Sequence, residues 1–231
     1  MIKAVIFDLD GTLLPMNEEK FTRGYFGLLY KNARPFGYEK ELFVKTILTG
    51  THFMKNNNGS KTNEKVFWDY FASIYGEDKL KDKAIFDKFY LTDFEKTKSF
   101  CGENPFAKEI VEYCKNKVGK VILASNPVFP KEAMDWRLKF AGLNPEDFDY
   151  VSDYSNSSYC KPNPMFLKEI LRKLQLKEDE VVYFGNNEIE DGRPAEELGI
   201  KVYMVGDDIV EDEENSGKFD HIKFEDIMKI I

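Results

Sequence analysis

The chain has 231 residues, room for one domain or for a core domain carrying a smaller insertion, and too few for a many-domain assembly. Its 33 basic and 41 acidic residues leave a formal charge of -8, which opposes general attraction to nucleic acid or to an anionic membrane. A hydrophobic fraction of 42% with 20 Phe, 12 Tyr and 2 Trp can build a substantial core, yet no apolar run approaches the roughly 18 residues of a membrane span.

The first element is an apolar stretch from Lys3 to Leu9 closed by Asp10-Gly11-Thr12, which reads as a buried strand running into a turn. Only four consecutive apolar residues precede Asp8, too few for a signal-peptide core. Cys101, Cys114 and Cys160 contain no C-x-x-C pair and suggest neither a disulfide framework nor a zinc ribbon. Cytoplasmic residence is the expectation. His52 and His221 are the only histidines, which excludes a three-histidine metal site and leaves both with structural roles.

From about Asn17 to Lys98 the texture changes to helical spacing. Phe21, Tyr25, Leu28 and Leu29 form one apolar face, and Phe67, Tyr70, Phe71 and Ile74 form another. Breaks at Arg34-Pro35-Phe36-Gly37, at Asn56 to Ser60 and near Gly76 divide the region into about four helices. Leu14-Pro15-Met16 and Cys101 to Pro105 bracket it as chain crossings. The domains expected are therefore 1–15 with 101–231 as a core, and 16–100 as a helical bundle inserted into it.

After the second crossing, helices and strands alternate. Helices are predicted from about Pro105 to Lys117, from Pro130 to Ala141 and from Asn163-Pro164 to Leu174. Strands are predicted at Val121–Ser125, Tyr150–Ser152, Val181–Phe184 and Lys201–Val205. Short apolar strands with intervening helices imply an α/β fold, a Rossmann-like doubly wound parallel sheet covered on both faces. The acidic run Asp207 to Glu214 follows the last of these strands and reads as a solvated loop.

Ligands of open parallel sheets bind beyond the carboxyl ends of the strands, so the residues there carry the chemistry. They are Asp8 and Asp10, then Ser125 and Asn126, then Lys161, then Asn186 to Asp191. Carboxylates can hold Mg²⁺, a hydroxyl can donate to a phosphoryl oxygen and a lysine can neutralise its charge, a set suited to phosphoryl transfer.

These segments resemble the motifs of the haloacid dehalogenase superfamily, most of whose members are phosphatases with a nucleophilic aspartate. Val5-Ile6-Phe7-Asp8-Leu9-Asp10-Gly11-Thr12-Leu13 is similar to the first motif and Val121-Ile122-Leu123-Ala124-Ser125-Asn126 to the second. Lys161-Pro162-Asn163-Pro164 is similar to the third, and Val181 to Asn186 with Asp191 to the fourth. The helical region between the first two looks like the family's cap domain.

The resemblance implies a mechanism. Asp8 would attack phosphorus to form an aspartyl-phosphate, and Asp10 would protonate the leaving oxygen and later activate water. Phosphate would be bound by Gly11, Thr12, Ser125, Asn126 and Lys161. Mg²⁺ would be held by Asp8, the Asp10 carbonyl, Asn186 and Asp191. Dehalogenases lack the second aspartate because a halide needs no proton, so Asp10 points to phosphate esters.

One departure stands out. The common fourth motif reads Gly-Asp-x-x-x-x-Asp, whereas this chain has Gly185-Asn186 followed by Asp191, and an amide oxygen ligates a hard cation without supplying charge. Glu188 and Glu190 are read as solvated. Phe21, Tyr25 and His52 are candidates to line the crevice, with hinges near Pro15 and Gly102. The function expected is a Mg²⁺-dependent phosphatase of a small soluble phosphate ester, acting as a monomer or homodimer without a nucleic-acid or membrane partner. A noncatalytic binding protein, a phospho-accepting receiver domain and a phosphomutase are the alternatives. The receiver is disfavoured because its acceptor aspartate follows a later strand.

Overall fold

The apolar run after Lys3 forms β1 (Ala4–Phe7), in which all four residues are completely buried. Val5 and Phe7 join one hydrophobic cluster with Val121, Leu123 and Phe184, while Ala4 and Ile6 join a second with Ile122, Tyr183 and Met204. A strand buried on both faces is what a helix-covered parallel sheet requires. The structure, a computed structural model, describes residues 1–215 and 217–231.

Five further strands complete the sheet: β2 (Lys120–Leu123), β3 (Tyr150–Val151), β4 (Val181–Gly185), β5 (Lys201–Val205) and β6 (Asp220–Ile222). Their order is β3-β2-β1-β4-β5-β6 and every pairing is parallel. The sixth strand escaped the sequence reading because Asp220-His221-Ile222 is a short edge segment with no apolar run. The connections run outward on one side of β1 and then cross to the other, so the switch point lies between β1 and β4. Phe7 pairs with Leu123 on one side and Phe184 on the other, which brings the carboxyl ends of the three central strands level.

Between β1 and the rest of the sheet lie α1 (Glu18–Ala33), α2 (Lys40–Lys55), α3 (Asn63–Tyr75) and α4 (Lys83–Leu91), then 3₁₀ turns over Asp93–Phe100. Three helices have side-chain N-caps: Asn17 accepts the Lys20 N–H, Glu39 the Glu41 and Leu42 N–H groups, and Thr62 the Lys65 N–H. Helix α1 buries Phe21, Tyr25 and Leu29 as its spacing predicts. On α3 the buried face is Phe67, Trp68 and Phe71, while Ile74 is exposed. The stripe turns toward Trp68 because its ring meets Phe86 of α4 edge-on at 5.2 Å.

The chain leaves the sheet and returns to it side by side: the Gly102 N–H donates to the Pro15 carbonyl at 2.7 Å, and Met16 bridges Cys101. A second attachment lies elsewhere. The Asn63 and Glu64 N–H groups donate to the Ser157 and Tyr154 carbonyls at 2.9 and 2.7 Å. Asn63 Nδ2 donates to the Pro127 carbonyl at 3.1 Å, and Trp136 Nε1 to that of Tyr90 at 3.0 Å. The helical layer is thus fastened on two sides, not only at Pro15 and Gly102, and its apolar residues share one cluster with one face of the sheet.

The remaining helices are α5 (Ala107–Val118), α6 (Lys131–Phe140), α7 (Met165–Leu174), α8 (Arg193–Glu197) and α9 (Ile227–Ile230). Asn163 Oδ1 accepts the Met165 N–H at 2.9 Å, and α7 begins one residue later than its Asn-Pro sequence suggests, with Pro164 rather than Asn163 at the cap position. The acidic run is not merely a solvated loop. Asp212 is 1% exposed and paired with Arg193, and its N–H donates to Glu188 Oε2 at 2.7 Å. Val210 exchanges backbone hydrogen bonds with Asn186 and Glu188, so this segment folds back over the turn that follows β4. No helix among the described residues is long and apolar enough to cross a membrane.

Candidate active site

Asp8 leaves β1 at the switch point, where its N–H donates to the Phe184 carbonyl at 2.9 Å. Its side chain is buried, and Lys161 Nζ donates to Oδ1 at 2.6 Å. The same ammonium donates to Asp191 Oδ1, also at 2.6 Å, and is itself buried. Burial lowers the Lys161 pKa, but Asp191 and Asp8 outweigh it and hold the group well above its ordinary value. Burial raises Asp8 most; Lys161 opposes it, Asp191 and Asp10 add to it, and the result is about 7. Two carboxylates share one ammonium.

Asp191 spends both oxygens on structure. Its Oδ1 accepts from Lys161 and from the Tyr183 hydroxyl at 2.6 Å, and its Oδ2 accepts the Asn186 and Asn187 N–H groups at 3.2 and 3.1 Å. A Cβ on Gly185 would overlap this carboxylate, which is why a glycine ends β4. The turn beyond is a single π-helical turn, Glu188–Gly192, a form frequent at functional sites. Glu188 is completely buried with Oε1 2.6 Å from His221 Nε2, so it is not solvated.

Asn186 turns its amide oxygen toward Thr12, which lies beside Asp8. Nδ2 donates to the Asp208 carbonyl at 3.0 Å, which leaves Oδ1 facing Thr12 Oγ1 at 3.5 Å; the same hydroxyl lies 3.4 Å from Asp8 Oδ2. Gly11, at φ +79°, passes so close that a Cβ would overlap the Asn186 amide. The Gly11 and Thr12 N–H groups donate within their own loop, to the Leu14 and Leu9 carbonyls. As placed, these two residues shape the loop rather than offer free amides.

Among the described residues no group of three or more His, Cys, Asp or Glu side chains could hold a metal ion. The oxygens at this point are mixed: the Asp8 carboxylate and, across the Thr12 hydroxyl, the Asn186 amide oxygen. All are hard oxygens, and Mg²⁺ commonly takes one or two carboxylates and keeps several waters, so the set suits that ion.

Asp10 and Asn126 face a different space. They line a cavity of about 340 Å³ roofed by α1 to α4. Asp10 Oδ1 and Asn126 Oδ1 are both buried without a hydrogen-bond partner among the described residues. Asn126 Nδ2 donates to Glu190 Oε2 at 3.2 Å, and Glu190 pairs with Lys55 of α2 at 3.2 Å. Phe21 and Tyr25 line this cavity, whereas His52 is exposed elsewhere on α2.

The sequence reading missed Arg137. It lies on α6, 1% exposed, with Nη2 paired to Asp10 Oδ2 and 3.4 Å from Ser125 Oγ. Its guanidinium stacks over Phe129 at 5.1 Å. A signal existed: Ala133, Met134, Arg137 and Leu138 share the buried face of one helix, so the charge sits on an apolar stripe. The Lys55–Glu190 bridge had none, since the partners lie 135 positions apart and Glu190 reads as solvated.

Residues 2–199 match the family model of a haloacid dehalogenase-like hydrolase. Among solved structures the chain is similar to a HAD phosphatase from Thermococcus onnurineus, at 20% identity and a TM-score of 0.61 over 99% of this chain and 97% of that one. It is similar to a predicted phosphoglycolate phosphatase from Haemophilus somnus 129PT, at 18% identity and 0.59 over 99% and 97%. It also resembles a HAD family enzyme, BT-2542, from Bacteroides thetaiotaomicron in complex with magnesium and inorganic phosphate, at 21% identity and 0.52 over 92% and 98%. No curated protein matches the chain.

Proposed function

The chain belongs to the haloacid dehalogenase-like hydrolases, and from that premise we propose that it is a Mg²⁺-dependent phosphatase of small phosphate monoesters. The observation that carries the reading is the junction of Asp8, Lys161 and Asp10 at the switch point, with Asp8 held by Lys161 and Asp10 opening onto the cavity. Magnesium and inorganic phosphate bound to the Bacteroides thetaiotaomicron protein of the same fold are in keeping with it.

Asp8 Oδ2 is the nucleophilic oxygen, because Oδ1 is taken by Lys161. Lys161 meets the transferring phosphoryl group with a charge fixed by Asp191, and Ser125 contributes a hydroxyl at the end of β2. Asp8, the Asp10 carbonyl and Asn186 would hold Mg²⁺, which when bound neutralises charge on the phosphoryl oxygens. Asp191 acts as the anchor of Lys161 and of the turn after β4. Asp10 uses its unpartnered Oδ1 for the proton of the leaving oxygen, with Arg137 fixing Oδ2. Gly11 and Thr12 hold the loop that carries Asp10, and Asn126 with Glu190 shapes the cavity mouth. In this reading residues 16–100 act as a cap on a core of 1–15 and 101–231.

The test is phosphate release from 4-nitrophenyl phosphate during a Mg²⁺ titration. Activity that requires the metal and disappears in Asp8→Asn is the expected result. Undiminished activity in that variant would remove Asp8 as nucleophile, and no activity in any metal would favour a ligand-binding role, consistent with the loss of one charge at Asn186.

A further inference from the structure

The cavity beside Asp10 describes the part of the substrate that lies beyond phosphorus. Nine of its 22 lining residues are aromatic and five more are aliphatic or Met. Phe21, Tyr25 and Phe129 form one wall, with Phe129 edge-on to the other two at 6.4 and 5.4 Å. Trp68 and Tyr90 form part of another. The Tyr25 and Tyr90 hydroxyls bond each other at 2.7 Å, which leaves Trp68 Nε1, Asn126 Oδ1 and Asp10 Oδ1 as the buried polar atoms of the lining without a partner among the described residues. Against nine aromatic residues these few atoms serve one or two polar groups of a ligand rather than a row of hydroxyls, whereas a ring would meet faces and edges of other rings.

Charge narrows the choice further. Asp10, Glu18 and Glu190 line the cavity against one cation, Lys55, which is already paired with Glu190. Glu18 stands near both Asp10 and Glu190, and its pKa is raised, first by burial and then by these two neighbours. No free cation among the lining residues could receive a carboxylate or a second phosphate. The space is of the size that commonly encloses a small ligand.

We propose that the leaving group is an alcohol bearing an aromatic or heteroaromatic ring, uncharged or cationic, seated in this cavity with its ester oxygen at Asp10. The assignment rests on the phosphatase reading and gives its substrate class. Glu18 is the specificity determinant that turns away anionic leaving groups by like-charge repulsion. The ester of a small carboxylate, such as phosphoglycolate, would place its negative charge among these acidic groups.

Steady-state kinetics with the full chain and Mg²⁺ test this on alcohol esters, so that phenolate leaving ability does not intrude. Benzyl phosphate is expected to exceed glycerol 3-phosphate and phosphoglycolate by at least about tenfold in kcat/KM. 4-Carboxybenzyl phosphate should fall about tenfold below benzyl phosphate, and Glu18→Gln should narrow that gap. Equal or faster turnover of glycerol 3-phosphate or phosphoglycolate overturns the proposal. If no ester is hydrolysed, the phosphatase reading fails, and the ring site is judged separately by titrating benzyl alcohol into Trp136→Phe protein. A saturable change in Trp68 fluorescence that Thr51→Phe abolishes supports the ring site; no change overturns it.

Discussion

Arg137 sits where a charge is costly, fully buried on the apolar face of α6 with its Nε unpartnered among the described residues. It fixes one oxygen of Asp10 and leaves the other unpartnered among the described residues. Arg137→Met should lower kcat about 100-fold, as loss of a positioned acid–base group does. It should also cost about 1 kcal/mol of stability in urea unfolding, because Asp10, whose side chain is 26% exposed, loses its ion-pair partner. Arg137→Lys should restore more stability than activity, since an ammonium cannot both stack on Phe129 and reach Asp10 as a planar fork does. Asn186 admits the opposite test. Asn186→Asp should bind Mg²⁺ about tenfold more tightly in calorimetric titration, one added charge on a hard cation. The metal-free variant should melt at a lower temperature than the wild type, because a carboxylate would face the Asp208 carbonyl that Nδ2 now donates to.

At the scale of elements, the helical layer owes its fixed position to the start of α3. Asn63 is completely buried and its amide reaches the Pro127 carbonyl, while its N–H reaches that of Ser157. Asn63→Ala should cost about 2 kcal/mol in chemical unfolding, the penalty of orphaned buried acceptors, and should speed proteolysis between α2 and α3. The start of α4 carries a pH-dependent contact. Asp82 accepts from the Tyr38 hydroxyl at 2.8 Å and from Lys79 at 2.9 Å. Burial raises its pKa, but these two partners outweigh it and the net shift is downward. A carboxylate depressed in the folded state stabilises above its unfolded pKa, and the contribution disappears as pH falls through the folded value. The stability gap between wild type and Asp82→Asn should therefore be full at pH 7 and close below about pH 4, read by thermal melts across that range.

For the whole molecule, the continuous apolar cluster that joins helical layer and sheet predicts one cooperative unfolding transition rather than two. The two tryptophans report the two parts: Trp68 on α3 and Trp136 on α6. Denaturation midpoints from Trp68→Phe and Trp136→Phe proteins, each corrected for the stability change of the substitution by circular dichroism, should coincide. Separate midpoints would show that the helical layer melts alone. Against the charge of -8, Lys161 and Arg137 are the two buried basic side chains among the described residues, and both face carboxylates of the site.

What the sequence determined by itself was whatever depends on local order along the chain. Apolar runs of strand length defined β1, β2, β4 and β5, Asn163-Pro164 marked the start of α7 to within one residue, and the residues just past the strands located the crevice. These features are legible because side-chain periodicity and capping act over a few residues. The tertiary structure decided what depends on distant partners. It paired Arg137 with Asp10 across 127 positions and brought Asp191 against Lys161. It also drew Asp212 out of an acidic run into the fold and set the helical layer down on the loops after β2 and β3. A charged residue has no local period to announce burial, since its environment is made by elements that meet only when the chain has folded.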